Sequence, residues 1–325
     1  MPPDPEPSPA TALLTTAVLS PEQRSAVQAL VAAAERVDGV PPLSEQPMLR
    51  LARPDADAAV THLLGYSSSH LVGYAQLDSG GEHPSAELVV DPQSRRQGVA
   101  TTLLDALPTD VAIWAHGKVA AAESFAAARD LTVTRELWIL ELALDDPAVT
   151  LDPVVLPEGL TVRTFVPGQD EQEWLRVNAA AFAHHPEQGR MTRSDLDARL
   201  AEPWFDPAGL LLVVPEDSGS TRAEGAIAAF HWTKVHPPGE QSDEARGAVG
   251  EVYVVGVDPA YQGRGLGRPV TLLGLHHLQQ LGIREVILYV DGDNPAALRI
   301  YRGLGFQTRG LDRMYSRSVH PAVER

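Results

Sequence analysis

Residues 256–267 read GVDPAYQGRGLG, and the stretch 89–100, VVDPQSRRQGVA, repeats the same pattern. When the two are aligned without gaps, Val-Asp-Pro falls on Val-Asp-Pro and Gly98 falls on Gly265. An apolar run typical of a β-strand precedes each stretch, and a leucine-rich helical pattern follows each. Two matches with the same order and spacing indicate a duplicated unit of strand, turn, loop and helix.

The similarity continues beyond the loops and predicts two α/β domains with mixed sheets. Short β-rich runs, VAIWA at 111–115 and VILYV at 286–290, follow the two loops. Clustered aspartates and prolines between residues 145 and 158 break any regular element. The predicted organisation is a disordered tail over residues 1–12, a first domain over 13–150 and a second domain over 158–319.

The composition excludes several classes of function. The chain has 325 residues and a formal net charge of −17, which argues against a nucleic-acid binder because phosphate contacts need clustered Lys and Arg. It has no cysteine, so disulfides, thiolate nucleophiles and Cys-ligated metals are excluded. No apolar run approaches the ~18 residues of a membrane helix. We therefore expect a cytoplasmic protein with neither nucleic acid nor a membrane as a partner. The sequence does not report the oligomeric state, and a monomer is compatible with it.

The loop of residues 262–267 is expected to bind a phosphate group. Glycines between a strand and a helix let successive backbone N–H groups point into one cavity, at the positive end of the helix dipole. The GxxxxGK[ST] string of P-loops is absent from the chain. The GxGxxG pattern of dinucleotide-binding loops fails at Arg268, which disfavours an oxidoreductase.

A third loop pattern, [QR]-x-x-G-x-[GA], fits both copies, as RRQGVA at 95–100 and QGRGLG at 262–267. A strand pattern, then NPAALRIY at 294–301 and GLGF at 303–306, follows the second loop. In this order the series closely resembles the GCN5-related N-acetyltransferase (GNAT) family across most of residues 158–319. The resemblance implies an α/β fold of two tandem GNAT domains with mixed, mostly antiparallel sheets, and acetyl-CoA as the acetyl donor.

The same resemblance implies how acetyl-CoA is bound. In the family, one strand splays from its neighbour and its backbone pairs with the pantetheine arm, while the loop wraps the pyrophosphate and a later turn lines the rest of the groove. Carried over to the first domain, the implied residues are Leu88, Val89, Val90, Arg96, Gln97, Gly98, Val99, Ala100 and Thr101. In the second domain they are Val255, Gly256, Val257, Gln262, Gly263, Arg264, Gly265, Leu266, Gly267, Arg268, Asn294, Pro295, Ala296, Ala297, Leu298 and Arg299.

Comparison of the two halves predicts that only the second one catalyses. We predict that Glu251 and Tyr301 are the catalytic side chains of the second half. In the first half they are aligned with Pro84 and Ala126. An amine must lose a proton before it attacks a thioester, so the carboxylate of Glu251 is the expected base. The resemblance implies that Tyr301 protonates the departing thiolate. The first domain is predicted to bind acetyl-CoA without turning it over.

Longer strings point to one group within the family. DGVPPLSEQ, FAHHPEQG, HWTKVHP and LYVDGDNPAA resemble tandem members that acetylate the cysteinyl amine of a cysteine–glucosamine–inositol conjugate. The resemblance implies that the acceptor is surrounded by Glu45, Glu187, Lys234, Glu251 and Tyr289. The pairs His184-His185 and His276-His277 lack the spacing of a metal site, so no metal is expected.

Two other functions stay open at this point. An acetyltransferase acting on an aminoglycoside or on a peptide N-terminus would use the same cofactor motifs. A non-enzymatic sensor with two acetyl-CoA sites would bind the donor tightly and yield no product from any amine. The presence of both Glu251 and Tyr301 argues against the sensor.

Overall fold

The structure is a computed structural model of the whole chain. It describes residues 11–52, 59–81, 83–185, 188–216, 226–239 and 247–317. The chain forms two compact units, the first of Met1–Glu136 with Leu311–Arg325 and the second of Leu137–Gly310. The predicted tail over residues 1–12 lies almost wholly outside the described residues.

Eight α-helices lie within the described residues. The first unit contains α1 (Pro21–Asp38), α2 (Glu45–Ala52), α3 (Val99–Ala106) and α4 (Ala120–Ala128). The second unit contains α5 (Glu171–Ala181), α6 (Arg193–Leu200), α7 (Gly267–Gln280) and α8 (Pro295–Gly303).

The described part of the chain also contains twelve β-strands. Those of the first unit are β1 (Ala12–Thr16), β2 (Val60–Ser67), β3 (His70–Asp78), β4 (Ser85–Val90) and β5 (Ala112–Ala115). Those of the second unit are β7 (Leu160–Thr164), β8 (Leu210–Pro215), β9 (Ala229–His236), β10 (Val249–Val257) and β11 (Glu285–Asp291). Two strands have residues in both units, β6 (Leu131–Ala143) and β12 (Gln307–Arg317).

The first unit is a sheet covered by helices on both faces. Its strands lie in the order β1-β2-β3-β4-β5, with the last part of β12 beside β5. Only β4 and β5 run parallel among these strands, and the other pairs are antiparallel. Neighbouring strand residues point to opposite faces. Accordingly, Tyr74 packs in a core with Val27 of α1, whereas Ala75 packs with Leu103 of α3.

The second unit has the same layered design. Its strands lie in the order β6-β11-β10-β9-β8-β7, and only β10 and β11 are parallel. Trp174 of α5 packs with Trp232 on one face, and Leu275 of α7 packs with Val252 on the other. The series of strand, glycine loop, helix, strand and helix thus occurs in both units, as β4 to α4 and as β10 to α8. The predicted fold of mixed, mostly antiparallel sheets is confirmed.

The compact units are bounded differently from the predicted domains 13–150 and 158–319. Strand β6 enters the second unit at Leu137, and β12 returns to the first unit at Leu311. The physical reason for the return is strand pairing, because residues 313–316 of β12 pair with β5. The ranges 13–150 and 158–319 stay a prediction for the extent of the two repeated sequences.

Candidate active site

The same turn follows β4 and β10. The Asp91 and Asp258 side chains each accept a hydrogen bond from the backbone N–H two residues further on, at 3.3 and 2.8 Å. The proline after each aspartate opens a single 3₁₀ turn, Pro92–Ser94 in the first unit and Pro259–Tyr261 in the second. The Asp-Pro pair therefore redirects the chain from the end of each strand into the glycine loop.

The first position of the loop motif has a structural role in both units. In the second unit, Gln262 Nε2 donates to the carbonyl oxygen of Val257 at 3.3 Å. In the first, Arg95 Nε donates to the carbonyl oxygen of Val90 at 3.4 Å. Each carbonyl belongs to the last residue of the preceding strand. Gln and Arg suit this position because each has a long side chain that carries an N–H group and can reach back to the end of the strand.

The glycines of the loops are required by backbone conformation. Gly263 and Gly265 have φ values of 76° and 77°, and Gly98 has a φ of 86°. Arg96, the counterpart of Gly263, also has a positive φ, 67°. This region is costly for residues with a Cβ. A Cβ added at Gly98 or Gly265 would meet no atom within 4 Å, so conformation rather than lack of space selects glycine there.

Helices α3 and α7 begin directly after these loops, and neither has a side-chain hydrogen bond at its N-cap among the described residues. Backbone N–H groups of the first helical turn have no partner within the helix and suit an anion. The guanidinium of Arg268, in the first turn of α7, binds Asp152 Oδ2 at 2.7 Å and the Gly303 carbonyl at 3.2 Å. Arg268 would therefore act on a phosphate through its backbone N–H.

The parallel strands of each unit separate near the glycine loop. In the second unit, β10 pairs with β11 over Val249–Val252 and continues to Val257 without further pairing to β11 among the described residues. In the first unit, β4 pairs with β5 over Ser85–Glu87, and Leu88–Val90 extend beyond that pairing. Each separated edge carries the residues predicted to pair with the pantetheine arm. Their binding role stays a prediction.

Eight of the nine predicted cofactor residues of the first unit line one cavity of about 650 Å³. The predicted residues that line it are Leu88, Val89, Val90, Arg96, Gly98, Val99, Ala100 and Thr101. Gln97 is not part of the lining, and its side chain donates to the Gln93 carbonyl instead. The first unit therefore has the space for a ligand at its glycine loop.

One wall of this cavity carries a buried charge cluster that sequence analysis missed. His116 lies between two carboxylates, with Nδ1 3.0 Å from Asp312 Oδ2 and Nε2 3.2 Å from Glu87 Oε2. Ser44 donates to Glu87 from its backbone N–H and from its hydroxyl, both at 2.6 Å. The Gly117 N–H donates to Asp312 at 2.8 Å. Burial alone would lower the pKa of His116, but the two carboxylates outweigh it and raise the pKa to about 10.

This cluster predicts a pH-dependent contribution to folding. The pKa of His116 is higher in the folded protein than its ordinary 6.5, so the stabilisation is fully present below pH 6.5 and is lost as the pH rises toward 10. We expect His116→Asn to cost about 3–5 kcal/mol of unfolding free energy near pH 6, because two buried carboxylates lose their cation. Urea titrations between pH 6 and 10 should show this difference shrinking. A constant difference, or an equal effect of His70→Asn at an exposed histidine, would contradict it.

In the second unit, Glu251 is buried on β10 with 7% of its surface exposed. Its neighbour Gly250 lies against Leu278 of α7, so the Glu251 side chain points to the other face of the sheet. There its Oε2 lies 2.6 Å from His236 Nε2. In the antiparallel pairing of β9 and β10, Lys234 stands opposite Glu251. The structure thus brings Glu251 and Lys234 together, and their roles in one site stay a prediction.

A β-bulge in β10 between Val252 and Val254 corrects one alignment. The ungapped comparison placed Pro84 opposite Glu251. In the sheet, Glu251 pairs with Ile287, and the matching residue of β5 when VAIWA is aligned with VILYV is Ala112, which pairs with Ser85. The counterpart of Glu251 is therefore Ser85, because the bulge adds one residue to β10. The first unit still lacks a carboxylate at this position.

Lys234 is held by aromatic rings that sequence analysis did not assign. Its Nζ lies 4.7 Å from the centre of the Trp204 ring and 5.5 Å from that of Tyr253. The Tyr253 hydroxyl accepts a hydrogen bond of 2.6 Å from Arg199 Nε. Cation–π contacts of this kind fix an ammonium group in place. Lys234 is therefore a preoriented cation beside Glu251.

Tyr301, on α8, and Asn294, at the start of that helix, both have structural partners. The Tyr301 ring packs at 5.8 Å from Phe306 in the hydrophobic core of the second unit. Burial raises the pKa of Tyr301 to about 12, so its phenol stays protonated at neutral pH. Asn294 caps the helix by accepting a hydrogen bond from the Ala297 N–H at 3.1 Å. The catalytic and cofactor roles of these residues stay predictions.

The remaining predicted acceptor residues lie in different places. Tyr289 follows Leu288, the last β11 residue that pairs with β10, and 36% of its surface is exposed. Glu45 is the first residue of α2 in the first unit. Glu187 lies outside the described residues. The chain beside it is anchored, because the side chain of buried Asn178 exchanges two hydrogen bonds with Gln188, at 2.8 and 2.9 Å.

His236 is a functional candidate that the sequence analysis did not name, although its spacing from Lys234 could have indicated it. Alternate residues of a strand share a face, so the string HWTKVHP places His236 on the same side as Lys234. No such periodicity marks Trp204, which lies in the chain between α6 and β8.

Among the described residues, no group of three or more His, Asp or Glu side chains is arranged to hold a metal ion. None of the described helices has the length and apolar character needed to cross a membrane.

The sequence is similar to those of known acetyltransferases. The model of the Acetyltransferase (GNAT) family matches residues 174–306. A mycothiol acetyltransferase of Cellulomonas flavigena is 48% identical over 312 residues, which are 91% of this chain and 86% of that protein. A mycothiol acetyltransferase of Streptomyces avermitilis is also 48% identical, over 93% of this chain and 94% of that protein.

Solved structures share the fold at lower sequence identity. A tandem GNAT protein from the clavulanic acid biosynthesis pathway matches with a TM-score of 0.63 at 18% identity, over 94% of this chain and 98% of that chain. A GCN5-related N-acetyltransferase from Sphaerobacter thermophilus matches with a TM-score of 0.60 at 23% identity, over 96% and 98% of the two chains. These likenesses concern the fold alone.

Proposed function

Because the chain belongs to the mycothiol acetyltransferases, within the GNAT acetyltransferases, we propose that it moves an acetyl group from acetyl-CoA to the cysteinyl amine of desacetylmycothiol, the cysteine–glucosamine–inositol conjugate. The observation that carries this proposal is the opening between β10 and β11, which has a glycine loop at its end. The buried carboxylate of Glu251 lies on β10, next to the point where the two strands separate. A phosphate-containing thioester and a cationic amine fit these two features.

The second unit has the parts needed to hold acetyl-CoA. The separated end of β10, Val255–Val257, offers backbone groups to the pantetheine arm. The positive φ values of Gly263 and Gly265 turn the loop so that its N–H groups, with those at the start of α7, face a pyrophosphate. The predicted residues 294–299, at the start of α8, complete the groove in this proposal.

Glu251 acts as the base in this proposal. An α-amine has a pKa of about 7.7–8.0 and is mostly protonated at neutral pH, so it must give up a proton before attack. The Glu251 carboxylate takes that proton. The freed nitrogen then forms a bond to the thioester carbonyl carbon, and the carbon–sulfur bond breaks in the second half of the step.

Tyr301 supplies a proton to the departing sulfur. The raised pKa of its buried phenol keeps the hydroxyl protonated, so that it can donate its proton to the sulfur as the carbon–sulfur bond breaks. The nitrogen gives up its second proton as the amide forms, and this proton restores the Tyr301 phenol. The products are the amide and free CoA, and Glu251 passes the first proton of the amine to solvent. Lys234, held over its aromatic rings, donates hydrogen bonds to hydroxyl groups of the acceptor. Tyr289 contributes on the neighbouring strand, and Glu45 and Glu187 keep the acceptor role that the resemblance implies.

Tyr301→Phe should lower kcat about 10–100-fold, since the ring stays in the core and only the proton donor is removed. The KM for acetyl-CoA should change little. Steady-state kinetics with chromatographic quantification of free CoA measures both values, because the acceptor itself carries a thiol. A variant with the wild-type kcat would contradict the assigned role, provided that its thermal midpoint matches that of the wild type.

The first unit, in this proposal, binds acetyl-CoA in its cavity without turnover. Its glycine loop and separated strand edge match those of the second unit, while Ser85 replaces the carboxylate of Glu251. Equilibrium dialysis with labelled acetyl-CoA should therefore give two sites per chain. One site would contradict this part of the proposal.

The function is tested by offering purified protein three amines with acetyl-CoA. These are desacetylmycothiol, glucosaminyl-inositol without the cysteine, and a simple aminoglycoside. Turnover confined to the cysteinyl conjugate supports the proposal. Equal turnover of all three would leave a GNAT acetyltransferase of other specificity, and binding without product from any amine would favour the sensor.

A further inference from the structure

His236, the last residue of β9, is not used in the proposed reaction, yet it touches the proposed base. It is 3% exposed, and its Nε2 lies 2.6 Å from Glu251 Oε2, a distance typical of a strong charge-assisted hydrogen bond. An ionised carboxylate can only accept hydrogen bonds. Since the proposed base must be ionised to take a proton from the amine, its role requires that the N–H of His236 Nε2 donates this hydrogen bond to Glu251 Oε2.

The position of His236 fits a role in aiming the carboxylate. Lys234 and His236 are alternate residues of β9 and share the face that Glu251 occupies. A histidine has a short, planar side chain, and here it is buried, so its N–H has little freedom of direction. The bond to Oε2 thereby fixes the rotation of the Glu251 carboxylate. It also leaves the proton-accepting role to the other oxygen, Oε1.

We propose that His236 is a positioning residue that holds Glu251 Oε2 so that Oε1 faces the amine of the acceptor. This inference rests on the proposed role of Glu251 as the base. The proton on His236 Nε2 stays on the imidazole throughout the step. The proton of the amine passes to Oε1, and the only bonds that form and break are those of acetyl transfer.

The first test compares His236→Leu with His236→Gln in the full-length protein. Leucine removes the N–H donor, whereas the glutamine amide offers a donor at a reach similar to that of Nε2. We expect His236→Leu to lower kcat about 10–100-fold, the loss typical of a misplaced catalytic group, with an unchanged KM for acetyl-CoA. His236→Gln should recover most of the lost rate. A wild-type kcat for His236→Leu, or equal losses in both variants, would overturn the proposal.

A double variant separates positioning from a general loss of structure. If His236 acts only through Glu251, then Glu251→Gln with His236→Leu should be no slower than Glu251→Gln alone. Independent, multiplied losses would overturn the proposal. Thr233→Val is the matched control, because Thr233 lies on the same strand, its hydroxyl binds the Gly209 carbonyl, and it should keep the wild-type kcat.

The activities of the Glu251 and His236 variants also show whether the base assignment or only the positioning role is wrong. Full activity of Glu251→Gln would show that Glu251 is not the base and would contradict the proposed mechanism. An inactive Glu251→Gln beside fully active His236 variants would leave the mechanism standing and overturn only the positioning role. If His236→Leu fails to fold, His236→Asn replaces it, since the asparagine amide ends one bond nearer the backbone and should not recover the rate that glutamine recovers.

Discussion

We expect Glu251→Gln to lower kcat about 10²–10⁴-fold, the range typical of losing a positioned general base. The substitution keeps the size of the side chain and its ability to accept a hydrogen bond from His236, so the sheet should be preserved. The acceptor amine then stays protonated when it meets the thioester. Single-turnover formation of the acetylated product, followed by chromatography, measures the loss directly.

The control for this variant is Glu285→Gln. Glu285 begins the neighbouring strand β11, where it pairs with Arg309 and stands opposite Val249 in the sheet. Removing that charge should leave kcat unchanged, because the residue lies at the opposite end of β11 from the strand opening. An active Glu251→Gln variant, or equal losses in both variants, would show that Glu251 is not the base.

The second large effect is expected at the glycine loop. Gly265→Val should reduce kcat/KM for acetyl-CoA at least about a hundredfold, since a β-branched residue avoids a φ of 77° and reorients the N–H groups of the loop. Loss of two charge-assisted hydrogen bonds to a phosphate is worth about 3 kcal/mol or more. Isothermal titration with acetyl-CoA, together with initial rates, measures binding and turnover separately.

Variants of two matched glycines distinguish a loss of acetyl-CoA binding from a loss of stability. Gly282 has nearly the same conformation, with a φ of 78° and no atom within 4 Å of an added Cβ, but it follows the C-terminus of α7. Gly282→Val should cost stability and keep the affinity for acetyl-CoA. Gly98→Val should weaken binding in the first unit and leave turnover intact. Equal affinities in the Gly265 and Gly282 variants would contradict the assigned role of the loop.

Much of the fold follows from short-range rules. The Asp-Pro turn, the glycines of the loops and the helical patterns after them act over a few residues, so the duplicated unit and its mixed sheets were predictable. The side chains of Arg95 and Gln262 also act locally, by reaching the last carbonyl of the strand before them. Alternation along β9 placed Lys234 on a definite face.

Contacts between distant parts of the chain were not predictable in the same way. The bulge in β10 adds one residue, so the counterpart of Glu251 is Ser85 and not Pro84. The sequence does not reveal this bulge, because the strand is a continuous apolar run. The charge cluster of the first unit joins His116 to Asp312, which lie 196 residues apart in the chain. The pairing of β12 with β5 brings these two residues into contact.

The sequence by itself determined the repeated loop and the family, because both depend on residue type and local spacing. The catalytic roles of Glu251 and Tyr301 are predictions from the same patterns. The tertiary structure alone decided that His236 binds the carboxylate of Glu251 and that aromatic rings hold Lys234 beside it. The physical reason is that hydrogen bonds and cation–π contacts act over a few ångströms. Which side chains come that close is set by sheet register and by packing, and single residues do not encode either.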